Sequence, residues 1–167
     1  MYQLGDRVVY GIHGVCVVKE QEQRKVDRKL VTYLVLEPVG QEGARFLVPT
    51  HNALAMAKLS PILTPEGLES LLEDPAGKQD GWIDDENRRK QLYRELIGSG
   101  NRLKLVQMIR SLHRHKRALA ANGKRCHLCD ENFLRDTERL LINEITIVLN
   151  TTPDQAKTYL QEKVTEE

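Results

Sequence analysis

Two patterns of apolar and polar positions divide the chain. Through residue 49 the apolar residues come in short runs rich in β-branched or aromatic side chains: Val8-Val9-Tyr10, Val15 to Val18, Leu30 to Leu36 and Arg45 to Val48. Turn-formers punctuate them, with Gly5-Asp6 opening the first run, Gly11 and Gly14 bracketing a tight turn, and Gly40 with Gly43 marking a reversal. The segment between Glu20 and Lys29 is polar and lacks Gly and Pro, which predicts a long hairpin with both arms reaching into solvent. Four or five strands in so short a stretch predict a small, strongly curved sheet or an SH3-like barrel.

After Pro49 the period becomes helical. Thr64-Pro65-Glu66 is a helix start, with a capping hydroxyl, a proline pre-set for the first helical position and a carboxylate favoured by the helix dipole. That helix ends near Asp74-Pro75, and the following DPAGKQDG, residues 74–81, has the composition of a linker or exposed loop. Asp84-Asp85-Glu86 starts a second helix, with Leu92, Tyr93, Leu96 and Ile97 at helical spacing before Gly98-Ser99-Gly100. A third follows Asn101, its inner face formed by Leu105, Met108, Leu112 and Leu119, and Asn122-Gly123 closes it. A fourth begins near Asp130 with Leu134, Leu141, Ile145 and Val148 inward, and Thr151-Thr152-Pro153-Asp154 starts the last, carrying Ala156, Tyr159 and Leu160. The expected fold is α+β: a β-rich domain over 1–60, a short helix and linker over 61–81, and a helical bundle over 82–167.

Charge changes this picture. Residues 88–125 hold twelve Lys and Arg against one acidic residue, Glu95, although the 167-residue chain as a whole carries a formal charge of only +1. Solvated helices normally intersperse the two signs, because like charges one turn apart repel by a few tenths of a kcal/mol. Arg110, Arg114 and Arg117 fall at i, i+4 and i+7, with Lys116, Lys124 and Arg125 nearby, and phosphate binding would relieve their repulsion. The run therefore points to a polyanion partner. Trp82, the only tryptophan, precedes it between a Gly-containing loop and a helix start, where an indole can act as an apolar wedge in a minor groove or stack on an unpaired base.

Other chemistries find less support. Cys126-His127-Leu128-Cys129 with His113 and His115 upstream raises zinc, but residues two apart on a helix point away from each other and give a poor second ligand pair. A helix N-cap is expected at Cys129, with Asp130 competing for it, and no thioredoxin-like βαβ pattern surrounds the CxxC. No Ser or Cys elbow accompanies His13 or His51, and no glycine-rich phosphate cradle leads into a helix, so no enzyme and no cofactor are expected. Three unevenly placed cysteines fit thiols in a reducing compartment, and no stretch nears the roughly 18 apolar residues of a membrane span, so a cytoplasmic protein is expected, and, with nothing resembling a coiled-coil seam, a monomer.

The segments Gly5-Asp6-x-Val8-Val9-Tyr10-x-x-His13-Gly14, Tyr33-Leu34-Val35-Leu36 and Val48-Pro49 resemble the CarD/CdnL family of bacterial RNA polymerase-binding transcription regulators. Trp82, the basic helices and Arg139-Leu140-Leu141-x-x-Glu144 extend the resemblance over nearly the whole chain. The Gly-Asp…His-Gly motif is shared with the polymerase-interacting domain of the transcription-repair coupling factor, whose helicase motor has no room here. The resemblance implies a Tudor-like N-terminal domain that binds the polymerase β subunit and a helical domain that contacts promoter DNA at the upstream edge of the bubble. By the family pattern, polymerase contacts fall on Arg24, Val26, Arg45, Leu47 and Pro49, with Leu47 standing where members carry Arg and Arg45 two residues before it. DNA contacts fall on Trp82, as the wedge, and on Arg88, Arg89, Arg110, Arg114, Arg117, Lys124 and Arg125. The spacing from Trp82 to Ser99-Gly100 is about one helical turn longer than in the best-known members. Binding by shape is expected, without strong sequence specificity. The alternatives are a stand-alone DNA-binding protein, an RNA binder, and a zinc- or thiol-dependent protein using Cys126 and Cys129.

Overall fold

A computed structural model describes residues 2–165, which form two compact units divided between Ile62 and Leu63. The first contains strands β1 (Arg7–Tyr10), β2 (Val15–Val26), β3 (Lys29–Pro38), β4 (Phe46–Pro49) and β5 (Leu59–Pro61), with a short helix α1 (Ala53–Met56) before the last. All neighbours are antiparallel, in the order β4-β3-β2-β1-β5, so the sheet is barrel-like without closing. Its core is the face formed by Val8, Cys16, Val18, Leu34, Leu36, Val48 and Leu59. Burial pushes the Cys16 thiol up to about 11, so it behaves as a small apolar side chain.

The Gly-Asp…His-Gly motif shapes one end of this sheet. Gly5 and Gly14 take φ of +89° and +77°, which L side chains resist, and the Gly5 N–H donates to the Val18 carbonyl at 2.7 Å. His13 closes a 3-10 turn and packs its ring 4.3 Å from Phe46 and 5.1 Å from Tyr10, so its part is structural, as its turn position predicts.

The expected hairpin is present. It turns on Asp27 and Arg28, both at positive φ (+49° and +65°), the signature of a two-residue type I′ turn. Beyond a register shift between Val18 and Glu20, the ribbon runs as far as the Val26–Lys29 pair, with most of its side chains in solvent.

The second unit is helical: α2 (Pro65–Glu73), α3 (Glu86–Ser99), α4 (Arg102–Ala121), α5 (Leu128–Val148) and α6 (Pro153–Thr165). The starts follow the predicted chemistry. The Thr64 hydroxyl accepts from Gly67 N–H, the Asp85 carboxylate from Asn87 and Arg88 N–H, and the Asn101 side chain from Lys104 N–H. Gly100 (φ +71°) ends α3 in the left-handed conformation. The α5 start differs from expectation, since His127 holds the N-cap position without a side-chain hydrogen bond, and Cys129 and Asp130 lie inside the helix.

The chain division also differs from the expected boundary. Leu68 and Leu72 of α2 belong to the same buried cluster as Tyr93, Val106, Ile109, Leu112, Ile145 and Leu160, and residues 74–81 pack on α4 instead of linking domains. A Cβ on Gly77 would lie 3.2 Å from Arg110 Nη1 and 3.3 Å from Leu103 Cδ1, and the Gly81 N–H donates to Ser111 Oγ at 2.9 Å. These glycines serve close approach of backbone to helix.

Arg28→Gly should stabilise the sheet unit by about 0.5 to 1 kcal/mol, because a side chain in the left-handed region costs more than the extra chain entropy of glycine. Thermal or urea unfolding would read this as a raised midpoint, and a lowered one would contradict the turn assignment.

Candidate functional site

Register places the five sheet residues. Directly opposed residues share a face, and Arg24 opposes Val31, Glu22 opposes Tyr33, Tyr33 opposes Pro49, and Val35 opposes both Glu20 and Leu47. Arg24, Val26, Leu47 and Pro49 therefore lie together on the face away from the core, with Val31 and Tyr33 among them. Arg45 stands just before β4, yet its guanidinium reaches Glu20 at 2.5 Å and Glu22 at 3.5 Å on that same face, while Arg24 Nε donates to Glu22 at 2.8 Å. Two arginines and two glutamates thus form a charged cluster beside Val31, Tyr33, Leu47 and Pro49. Arg24 draws the Glu22 carboxyl below its usual range, first through their hydrogen bond and then through its charge, with Arg45 adding to the effect.

The twelve cations of 88–125 comprise seven that are exposed, three of intermediate burial (Lys90, Arg102 and Arg114) and two that are buried. Arg88, Arg94, Lys104, Lys116, Arg117, Lys124 and Arg125 are exposed. Lys116, Lys124 and Arg125 line one concavity of about 480 Å³ at the junction of α4, the turn after it and α5, with Glu131 as its one acidic residue. Arg114 is half-exposed, donating to the Lys78 carbonyl at 2.6 Å and lying 4.0 Å from Asp80.

Arg89 and Arg110 are corrections, since both are only 3% exposed and neither can meet a phosphate where it stands. Arg110 Nη2 donates to the carbonyls of Leu72 and Lys163, tying the C-terminal turns of α2 and α6 to α4, where a cation is favoured by both helix dipoles. Burial, aided by the Arg114 charge and opposed by Glu73, pulls its pKa below the ordinary arginine value. Helical spacing put Arg110 in line with Arg114 and Arg117, but α4 is covered on that side by α2, α6 and residues 75–78.

Arg89 lies at the centre of the more elaborate arrangement. Its Nε and Nη2 meet the two Asp130 oxygens at 2.9 Å each, Asp130 being fully buried, and Nη1 donates to the Ile83 carbonyl at 2.8 Å. Desolvation works against this cation, but the Asp130 hydrogen bonds and charge prevail and hold its pKa above the ordinary value. The guanidinium carbon also sits 4.3 Å from the Trp82 ring centroid. His115 stacks on the same indole at 3.6 Å and 16°, and the Trp82 Nε1–H donates to Asp84 at 3.2 Å. Burial holds the His115 pKa below its usual value, with Asp130 opposing and Arg89 and His127 reinforcing the shift. Trp82 is therefore half-buried and held, neither projecting freely nor lost in the core. Nothing in the charge pattern flagged Asp130 or His115, because their relation to Trp82 exists only in three dimensions.

The metal constellation does not assemble. His113 bonds Glu138 at 2.8 Å while His115 stacks on Trp82, so the two histidines serve different neighbours. Burial pushes the Cys126 and Cys129 thiols up, and Asp130 adds to both shifts. Among the described residues no three His, Cys, Asp or Glu side chains are grouped to hold a metal ion, and no helix is long and apolar enough to cross a membrane.

Comparison with known proteins matches both units. Residues 2–60 match the family description "CarD-like/TRCF RID domain" and residues 69–161 match "CarD, C-terminal domain". The chain is 22% identical over 160 residues to a Bacillus subtilis (strain 168) protein named "Putative transcription factor YdeB", with 95% of this chain and 99% of the relative covered. A Tudor-like sheet unit and a helical unit, each matched in order along one polypeptide, identify a transcription regulator: the chain belongs to the CarD family.

Proposed function

We propose that the sheet unit binds the β subunit of RNA polymerase through its outer face, and that the helical unit holds promoter DNA at the upstream edge of the bubble, favouring the open complex. The observation that carries this reading is the separation of surfaces: a charged and apolar strand face on one unit, and on the other seven exposed cations from a run whose single acidic residue is Glu95, three of them lining one concavity with Glu131. On the sheet, Arg24 and Arg45 present charge while Val26, Leu47 and Pro49 present apolar area, a composition suited to protein and not to phosphate.

On the helices, Arg88, Arg117, Lys124 and Arg125 neutralise backbone phosphates, Arg114 assists from its half-exposed position, and Trp82 rests against the distorted minor groove. In this reading the cations meet phosphates and not base edges, so recognition is by shape and deformability. Trp82 acts on whichever state offers an opened base step, and binding that state better is what shifts the equilibrium. This reading puts the protein in the bacterial cytoplasm, at the polymerase.

Arg24→Glu should lower capture of the isolated β subunit by about tenfold or more, since it sets three acidic groups side by side on the contact face. A pull-down at wild-type level would remove the polymerase half of the proposal and favour a stand-alone DNA-binding protein. Replacing Lys124 and Arg125 together by alanine should flatten the plot of log affinity for duplex DNA against log salt by about 2, near one unit per phosphate contact. An unchanged slope would exclude both from the phosphate contacts. Trp82→Ala should shorten open-complex lifetime about tenfold while leaving polymerase capture intact. An unaltered lifetime would end the wedge role.

A further inference from the structure

We infer that Arg89, Asp130 and His115 form a socket that fixes how Trp82 is presented, so that they are positioning residues for the DNA contact and do not themselves touch DNA; the functional half of this rests on the wedge reading above.

Three independent restraints converge on one indole. The bidentate Arg89–Asp130 pair is anchored on α3 and α5, and the same guanidinium holds the Ile83 carbonyl, one residue after Trp82. It thereby fixes the backbone that carries the ring as well as lying 4.3 Å from the ring itself. His115, on α4, stacks at 3.6 Å, a separation and tilt that leave no space for a base on that face. Asp84 fixes the rotation of the ring by accepting from Nε1, and Asp80 accepts from the Trp82 backbone N–H at 3.1 Å.

Such restraint has a use in binding. A tryptophan on a loose loop loses rotamer freedom when it docks, whereas one already fixed by packing does not, and the difference appears as affinity for the state it recognises. A structural role alone would need a buried ring. This indole is only partly buried, and the part that His115 and the Arg89 guanidinium leave uncovered is what a partner can meet, which is the condition of a rigid contact group.

Because Trp82 is the sole tryptophan, its fluorescence reports the socket directly in the full chain. Arg89→Met/Asp130→Leu replaces the ion pair by apolar groups of similar size, a change that buried pairs often tolerate. His115→Ala removes the stack and His115→Phe restores it. In the double variant and in His115→Ala, acrylamide quenching of Trp82 should rise and its anisotropy fall, with unchanged far-UV circular dichroism, while His115→Phe stays at wild-type values. Open-complex lifetime should fall about three- to tenfold in the same two variants, and adding Trp82→Ala should shorten it little further. If the double variant does not fold, the two His115 substitutions decide alone. An indole as protected in the variants as in wild type would overturn the socket. A released indole with an undiminished lifetime, where Trp82→Ala alone shortens it, would overturn its functional role. Should Trp82→Ala itself leave the lifetime unchanged, the wedge reading fails and the functional half fails with it, while quenching still settles the socket.

Discussion

The Arg89–Asp130 pair is the constraint on which the helical unit's candidate surface depends. Taking two charges out of water costs several kcal/mol for each ion, and only good geometry with further hydrogen bonds compensates. Both conditions are met here, by two parallel 2.9 Å contacts and by the Ile83 carbonyl. Pairs of this kind contribute little net stability against an apolar alternative, so their value lies in fixing one arrangement. In this fold the arrangement fixed is the entry of the chain into α3, together with the indole that stands at that entry.

The same logic recurs twice in the unit. Arg102 meets both Glu144 oxygens at 2.7 Å, and Glu144 also accepts from the Leu63 N–H, so the helical unit's first residue is tied to the C-terminal part of α5. Arg110 holds the carbonyl ends of α2 and α6, with Nε and Nη1 lacking protein partners. Three members of the basic run are thus internal ties, and the count of cations along the sequence overstates the charge offered to a partner. Seven members of the run remain exposed, with Glu131 beside three of them, which keeps the polyanion argument while shortening its list of contacts.

Elements set by neighbours in sequence were legible. Caps at Thr64, Asp85 and Asn101, the αL stop at Gly100 and the polar hairpin all follow from residues within a turn or two of each other. Features set by distant partners were not. A charged residue is buried only if its counter-group comes to meet it, and Asp130 lies 41 residues from Arg89, as Leu72 lies 38 from Arg110. Residues 74–81 misled for a related reason: Gly and Pro read as linker composition, yet Gly77 and Gly81 are small because α4 presses against them. Turn chemistry hid in one further place, since Arg28 takes a left-handed conformation that glycine or asparagine would have announced.

The departure at Leu47 gains a physical sense from the register. A side chain at that position lies opposite Val35 on the outer face, and an apolar residue there extends the apolar strip that runs to Pro49 and Tyr33. Positive charge reaches this face from the edge, where Arg45 meets Glu20 and Glu22 without occupying a strand position. If that face holds polymerase, carrying both units on one chain raises the effective concentration of the helical unit at nearby DNA. Seven exposed cations then need to supply only weak, salt-sensitive attraction, and a firmly seated Trp82 can decide which state of the DNA is preferred.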